Sequence, residues 1–207
     1  MYTKKHIQNS VNRQGIRQKD TKDGGRKVKK SSQLGGKNIL VMGIGIILFF
    51  SLGRFVSIPS PVSNTTINIQ YGILGIFSVI YGPLVGMVSG LLGHMLIDIS
   101  LGAPWWSWII ASAIYGGIVG FSKKRIKIEE GIFGFKEILI FNLFQFAGHV
   151  ISWILVAPVL DILFYQEPVE KLFAQGLTAA IGNAVSTAIV GTILLSAYAK
   201  TRMEENN

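Results

Sequence analysis

The chain has 207 residues, of which 49% are hydrophobic and only 15% charged, with 24 glycines and no cysteine. A charge fraction that far below the roughly 25% of soluble domains, with glycine so frequent, points to helices packed in a membrane. The absence of cysteine excludes disulfides, thiolate nucleophiles and cysteine-ligated metals.

The net charge of +9 belongs to one segment. Residues 1–37 hold eleven Lys and Arg against Asp20 and Asp23, and the rest of the chain is neutral. This polar, glycine-containing stretch cannot bury enough surface to offset ordering, so it is expected to be a disordered basic cytoplasmic tail. Its charge suits an anionic lipid surface. Basic arms also bind nucleic acid, but the lipid reading is preferred and no nucleic acid is expected. So long a basic region, with no small-residue cleavage site after the first apolar run, speaks against a secretory signal.

Apolar runs follow at 39–58, 68–82, 84–101, 104–121, 136–158 and 171–199. A helix needs about 20 apolar residues to cross the hydrocarbon core, and only the second run is markedly short. Charge placement tests the count. The tail, the loop with Lys123, Lys124, Arg125 and Lys127, and the closing Lys200 and Arg202 are all basic. If short basic loops stay in the cytoplasm, an even number of spans separates them, four and then two. The segment from Pro158 to Glu170, with Asp161, Glu167 and Glu170 and no Lys or Arg, then falls outside. The expected fold class is therefore an all-α membrane protein of six transmembrane helices with both termini cytoplasmic. Its parts are the tail 1–37, a helical domain 38–202 and a short C-terminal tail 203–207. Small residues recur at four-residue spacing in Gly82, Gly86 and Gly90, in Ser112, Gly116 and Gly120, and in Gly176, Ala180, Ala184 and Ala188. Such stripes let helices approach closely in lipid.

Polar residues placed on this topology gather in the outer half. Eleven residues past Pro83, His94 lies about 16 Å from the inner surface, and Asp98 about 6 Å further out on the same face. Trp105, Trp106 and Trp108 begin the next span at the outer interface. Arg54 closes the first span, and Asn142, Gln145 and His149 form a stripe on the fifth with Trp153 one turn beyond. Gln175, Thr178, Asn183 and Ser186 enter from outside on the sixth. Each also has a plainer role. Arg54 fits snorkelling to headgroups as well as a ligand contact. The indoles fit an aromatic belt, and Asn142 and Gln145 fit interhelical hydrogen bonding. His94 and Asp98 are either a structural ion pair or the wall of a ligand site, because ionisable groups inside spans usually face a partner or a cavity. No phosphate loop, HExxH or GxSxG motif is present, so no nucleotide site, metal set or esterase nucleophile is indicated, and no enzyme activity, cofactor or metal is expected.

The stretches GRFVSIP, YGPLVGMVSGLLGHMLID, GAPWWSW, EEGIFG, APVLDILFYQEP and FAQGLTAAIGNAV together resemble the substrate-binding (S) components of energy-coupling-factor (ECF) transporters, of the type often labelled riboflavin. The resemblance runs from about Asn38 to Arg202. It implies a six-helix fold in the bacterial cell membrane that binds a vitamin-like molecule near the outer face. It also implies partners, a transmembrane coupling protein and two cytoplasmic ATPases. The family's small-residue docking pattern on the first helix is imperfect here, since Ile47 and Phe49 stand four residues after Gly43 and Gly45. Gly43 and Gly45 are nevertheless the expected docking positions. The expected binding region is bounded by the outer loop after Arg54 and a loop from Asp161 to Glu170, with Arg54, His94, Asp98, Trp105, Trp106, His149, Trp153, Asp161, Gln175 and Asn183 as substrate-binding candidates. A flat heteroaromatic ligand would stack on tryptophan while Asn, Gln and Asp take its heteroatoms, which suits a flavin, a thiamine-like or a pterin-like molecule equally.

Three functions compete. The first is substrate capture for an ATP-driven vitamin importer. The second is a stand-alone proton-coupled transporter with His94 and Asp98 as the relay, against which stands the lack of evident inverted repeats. The third is an assembly or regulatory protein working through its tail.

Overall fold

The computed structural model describes residues 36–206. The expected tail 1–37 lies outside them except for Gly36 and Lys37. Helix α1 (Gly36–Phe55) leads into an antiparallel pair, β1 (Ser57–Pro59) and β2 (Thr66–Asn68). Next come α2 (Gln70–Tyr81), α3 (Pro83–Leu101) and α4 (Trp106–Gly120). Two short 3₁₀ turns, Phe121–Lys124 and Ile128–Glu130, lead to α5 (Phe135–His149), a π-helical stretch (Val150–Val156) and α6 (Ala157–Tyr165), which continue one another as a single rod. Helix α7 (Val169–Glu205) closes the chain with 37 residues.

Local chemistry explains most boundaries. Gly82, at φ +100°, makes the turn between α2 and α3, and Pro83 starts α3 where its missing N–H costs nothing. Glu137 accepts from the Gly134 N–H at 3.1 Å and caps α5. Pro158 cannot donate to the turn before it. There the helix widens, so that the Ala157 N–H reaches Ser152 O, five residues back.

Among the described residues, four helices are long and apolar enough to cross a membrane: Gly36–Phe55, Pro83–Leu101, Phe135–Tyr165 and Val169–Glu205. Helices α2 and α4 have 12 and 15 residues. They are also the most enclosed, and Leu74, Val79, Ile109, Ala111 and Tyr115 on them are almost fully buried. The long helices carry their apolar side chains outward instead. On α7, Leu177, Ile181, Val185, Ile189 and Ile193 are exposed while Ala180, Ala184 and Thr187 are buried. An apolar outer face with small and polar side chains turned inward, as on α7, is the pattern of a helix whose surroundings are lipid.

Glycine sets the closest contact. A Cβ on Gly86 would fall on the Gly116 carbonyl, and one on Gly116 would fall on that of Gly86. Further along the same interface, a Cβ on Gly120 would meet Pro83, and one on Gly90 the Ser112 carbonyl. The aromatic core lies beside this seam, with Tyr71 edge-on to Phe49, Tyr115 and Trp153 at 5.3–5.4 Å between centroids.

Several expected boundaries differ. The first span ends at Phe55, and residues 57–59 are strand because they pair with β2. The loop expected from Asp161 is helix to Tyr165, and the C-terminal tail expected from 203 is helix to Glu205. Arg202 binds Glu129 at 3.1 Å and Tyr198 donates to Glu129 at 3.0 Å, which ties that last turn to the 3₁₀ loop. Of the two expected docking positions, Gly45 is buried, and a Cβ there would press on Ser89 and Phe77. Gly43, by contrast, has open space beside it.

Replacing Gly116 with alanine should destabilise the protein by about 1–3 kcal/mol, as overpacking does, whereas Gly43→Ala should leave it unchanged. Thermal unfolding of the two variants in detergent checks the contrast.

Candidate functional site

The end of α1, the strand pair, the start of α2, the end of α3, the start of α4, α6 and the first half of α7 enclose a cavity of about 590 Å³. It lies at the end of the bundle away from the basic loop, whose Lys123 abuts the α2–α3 turn at Gly82.

The wall is organised around Asp161. This carboxylate is 1% exposed and accepts from three donors at the start of α4: Trp105 Nε1 at 2.6 Å, Trp108 Nε1 at 2.9 Å, and the Ser107 hydroxyl. Asp98 continues the wall, with Oδ2 accepting the Trp105 backbone N–H at 2.9 Å and Oδ1 lying 3.5 Å from His94 Nε2. Behind them, His94 Nδ1 is 2.6 Å from the Ser112 hydroxyl, which is 3.2 Å from the Tyr71 hydroxyl. The roof is the strand pair, held down by α7. Asn183 Oδ1 accepts the Asn68 N–H at 2.7 Å, Ser186 donates to Asn68 O at 2.9 Å, and Gln175 Nε2 donates to Ser63 O at 2.8 Å. Gly182 lets Ile67 lie against the helix, where a Cβ would intrude. At the rim, Lys171 pairs with Glu167 at 2.8 Å and the Arg54 guanidinium sits 5.5 Å from the Phe55 ring centre.

Of the ten residues expected at the site, Arg54, His94, Asp98, Trp105, Asp161, Gln175 and Asn183 line the cavity. The other three do not. Trp106 is 46% exposed, its backbone N–H donating to the Tyr165 hydroxyl at 3.0 Å. His149 and Trp153 are fully buried behind the wall. Trp153 Nε1 donates to His149 Nδ1 at 2.9 Å, which puts the imidazole proton on Nε2, facing the Thr187 hydroxyl at 3.2 Å. Both back the lining from outside: Trp153 stacks on Trp108 at 5.2 Å, and His149 packs edge-on to Tyr71 at 5.6 Å. Sequence reasoning passed over Gln70 and Tyr71 at the start of α2, Asn68 on β2, Glu167 and Lys171 at the rim, and Trp108 as a lining residue. A Gln-Tyr pair opening a short apolar run was the available signal.

The chain's relatives fit this architecture. Residues 34–200 match the family model described as ECF-type riboflavin transporter, S component. This chain belongs to that family. S components are integral membrane subunits, in keeping with the four long apolar helices. A UPF0397 protein of Lactobacillus helveticus is 43% identical over 179 residues, covering 86% of this chain and 97% of the relative. One of Lactococcus lactis subsp. cremoris is 47% identical over 167 residues, 80% and 92% of the respective chains. Among solved structures, the S component for biotin from an ECF-type ABC transporter aligns with a TM-score of 0.56 over 78% of this S component and 89% of that chain. At 20% identity that likeness shows the shared fold alone.

Asp161→Leu removes the acceptor of one buried and two part-buried donors at once; a buried donor left unsatisfied costs about 1–3 kcal/mol. The expected result is a protein that unfolds well below the wild type and whose tryptophan emission shifts to the red; both are read by fluorescence-monitored melting.

Proposed function

We propose that this S component is the high-affinity capture subunit of an ATP-driven importer of a vitamin-like small molecule, riboflavin being one candidate. It performs no catalysis. A transmembrane coupling protein and two cytoplasmic ATPases supply the work. The observation that carries the reading is the cavity itself. At about 590 Å³ it falls within the range of roughly 300–1,000 Å³ that small-molecule sites occupy. Its lining combines indole and phenol faces with a few fixed polar groups.

In this reading the chain crosses the bacterial membrane six times with both termini cytoplasmic. Helices α2 and α4 count as spans because they run between the same two ends of the bundle as their longer neighbours. Being enclosed by protein, they need not match the bilayer thickness. The basic loop at Lys123–Lys127 lies inside and the cavity opens outward. Gly43, on the exposed face of α1 with Leu40, Ile44 and Ile47, is the proposed meeting point with the coupling protein. The hydrogen-bonded string from Asp98 through His94 and Ser112 stops at Tyr71 among the described residues. It supports a ligand wall better than a proton route. The riboflavin assignment rests on the family's description, whereas the structural relative is described as binding biotin, so the fold accommodates different ligands.

Uptake of the native ligand into cells should require co-expression of the coupling protein and ATPases. It should fall to background without them and persist when an uncoupler removes the proton gradient. Uptake by this chain alone that vanishes with the uncoupler would overturn the capture role.

A further inference from the structure

The cavity wall carries information about the ligand's charge, on the premise that the capture reading holds. The Ser112 hydroxyl has one proton to share between His94 Nδ1 and the Tyr71 hydroxyl. If the imidazole proton sat on Nδ1, the lone pair on Nε2 would face the Asp98 carboxylate. With the proton on Nε2, Tyr71 donates to Ser112, Ser112 donates to Nδ1, and Nε2–H faces Asp98. Every proton in the string then points toward the cavity, and the string ends in an acceptor. The second oxygen of Asp98 is met by the Trp105 N–H. Both partners are neutral donors, and no Lys or Arg among the described residues pairs with Asp98 or Asp161. The cations that line the cavity are placed elsewhere, Lys171 on Glu167 and Arg54 over Phe55.

Gln70 adds a separate observation. It lines the cavity and is 3% exposed, while its Oε1, packed against Gly53, has no hydrogen-bond partner among the described residues. Two carboxylates without a Lys or Arg partner thus share a wall with Tyr71, Trp105 and Trp108. Carboxylates and aromatic faces both attract cations, and a buried charge needs a partner. A flavin ring would bring carbonyl oxygens on either side of its single imide N–H, and a carboxylate ligand would add a third negative charge.

We infer that the natural ligand of this site is an organic cation, or an N–H-rich nitrogen heterocycle such as an aminopyrimidine, which sets its donors against Asp98 and stacks on the indoles. The test uses the full chain in lipid nanodiscs. Thiamine is the cationic aminopyrimidine probe, riboflavin the neutral one and biotin the anionic one, with binding followed by tryptophan fluorescence. Thiamine should bind at least about tenfold more tightly than the other two, a difference of about 1.4 kcal/mol. Asp98→Asn should remove that preference and Asp98→Glu should restore part of it. Tighter binding of riboflavin or biotin, or a thiamine affinity that Asp98→Asn leaves unchanged, overturns the inference. Native mass spectrometry of the unmutated protein from rich medium gives an answer that does not depend on the variants folding. A co-purifying nitrogenous cation supports the assignment. A co-purifying aminopyrimidine-like heterocycle supports it equally; an anion, or a neutral molecule without such N–H donors, overturns it while leaving capture intact, and no ligand together with no ATPase-dependent uptake removes both.

Discussion

Helices surrounded by lipid gain little by pressing leucine on leucine, because the lipid tails are as apolar as the side chains. What holds this bundle is therefore shape and internal hydrogen bonding. The decisive contact is the seam where α3 and α4 touch backbone to backbone at Gly86 and Gly116. Closing that seam brings Ser112 of α4 against Gly90 and His94 of α3. Without that approach the His94–Ser112–Tyr71 string could not form. The small residues thus fix the geometry of a polar wall some turns away.

At the other end of those helices, one carboxylate does for the cavity what glycine does for the seam. Asp161 gathers two indole N–H groups and a hydroxyl from a single turn of α4, fixing both tryptophan planes without lending them its own side chain as a lid. The indoles are then backed by Trp153 and Tyr165, which stack on Trp108 and Trp105 at 5.2 and 4.4 Å. Residues that never touch the cavity therefore decide where its aromatic faces stand. His149 belongs to this group. Its hydrogen bonds to Trp153 and Thr187 join the rod of α5 and α6 to α7.

Hydropathy and charge alternation made the helices and their order legible, because glycine, proline and basic loops punctuate the chain at its real turns. Depth along a helix was equally legible, so the His94–Asp98 face and the arrival of Asp161, Gln175 and Asn183 at one end could be read from spacing. Rotation about the helix axis was not. His149 and Trp153 lie at a plausible depth but face the core, and the π-helical stretch following His149 shifts the angular register that a regular helix would keep. The strand pair was hidden for a different reason. Ser57–Pro59 and Thr66–Asn68 are three residues each, too short for alternation to register, and they are held by Asn183 and Ser186 from far along the chain. Gln70 and Tyr71 became lining residues only because that pair places the start of α2 beneath it.

Helix α7 reaches from Gln175, which grips the strand-pair roof, to Arg202, which grips Glu129 in the 3₁₀ loop at the far side. The α-helix between those two grips measures about 40 Å and hardly stretches. It works as a pushrod: any lift of the roof that keeps its three hydrogen bonds to α7 must carry the opposite tip, and the loop fastened there, along with it.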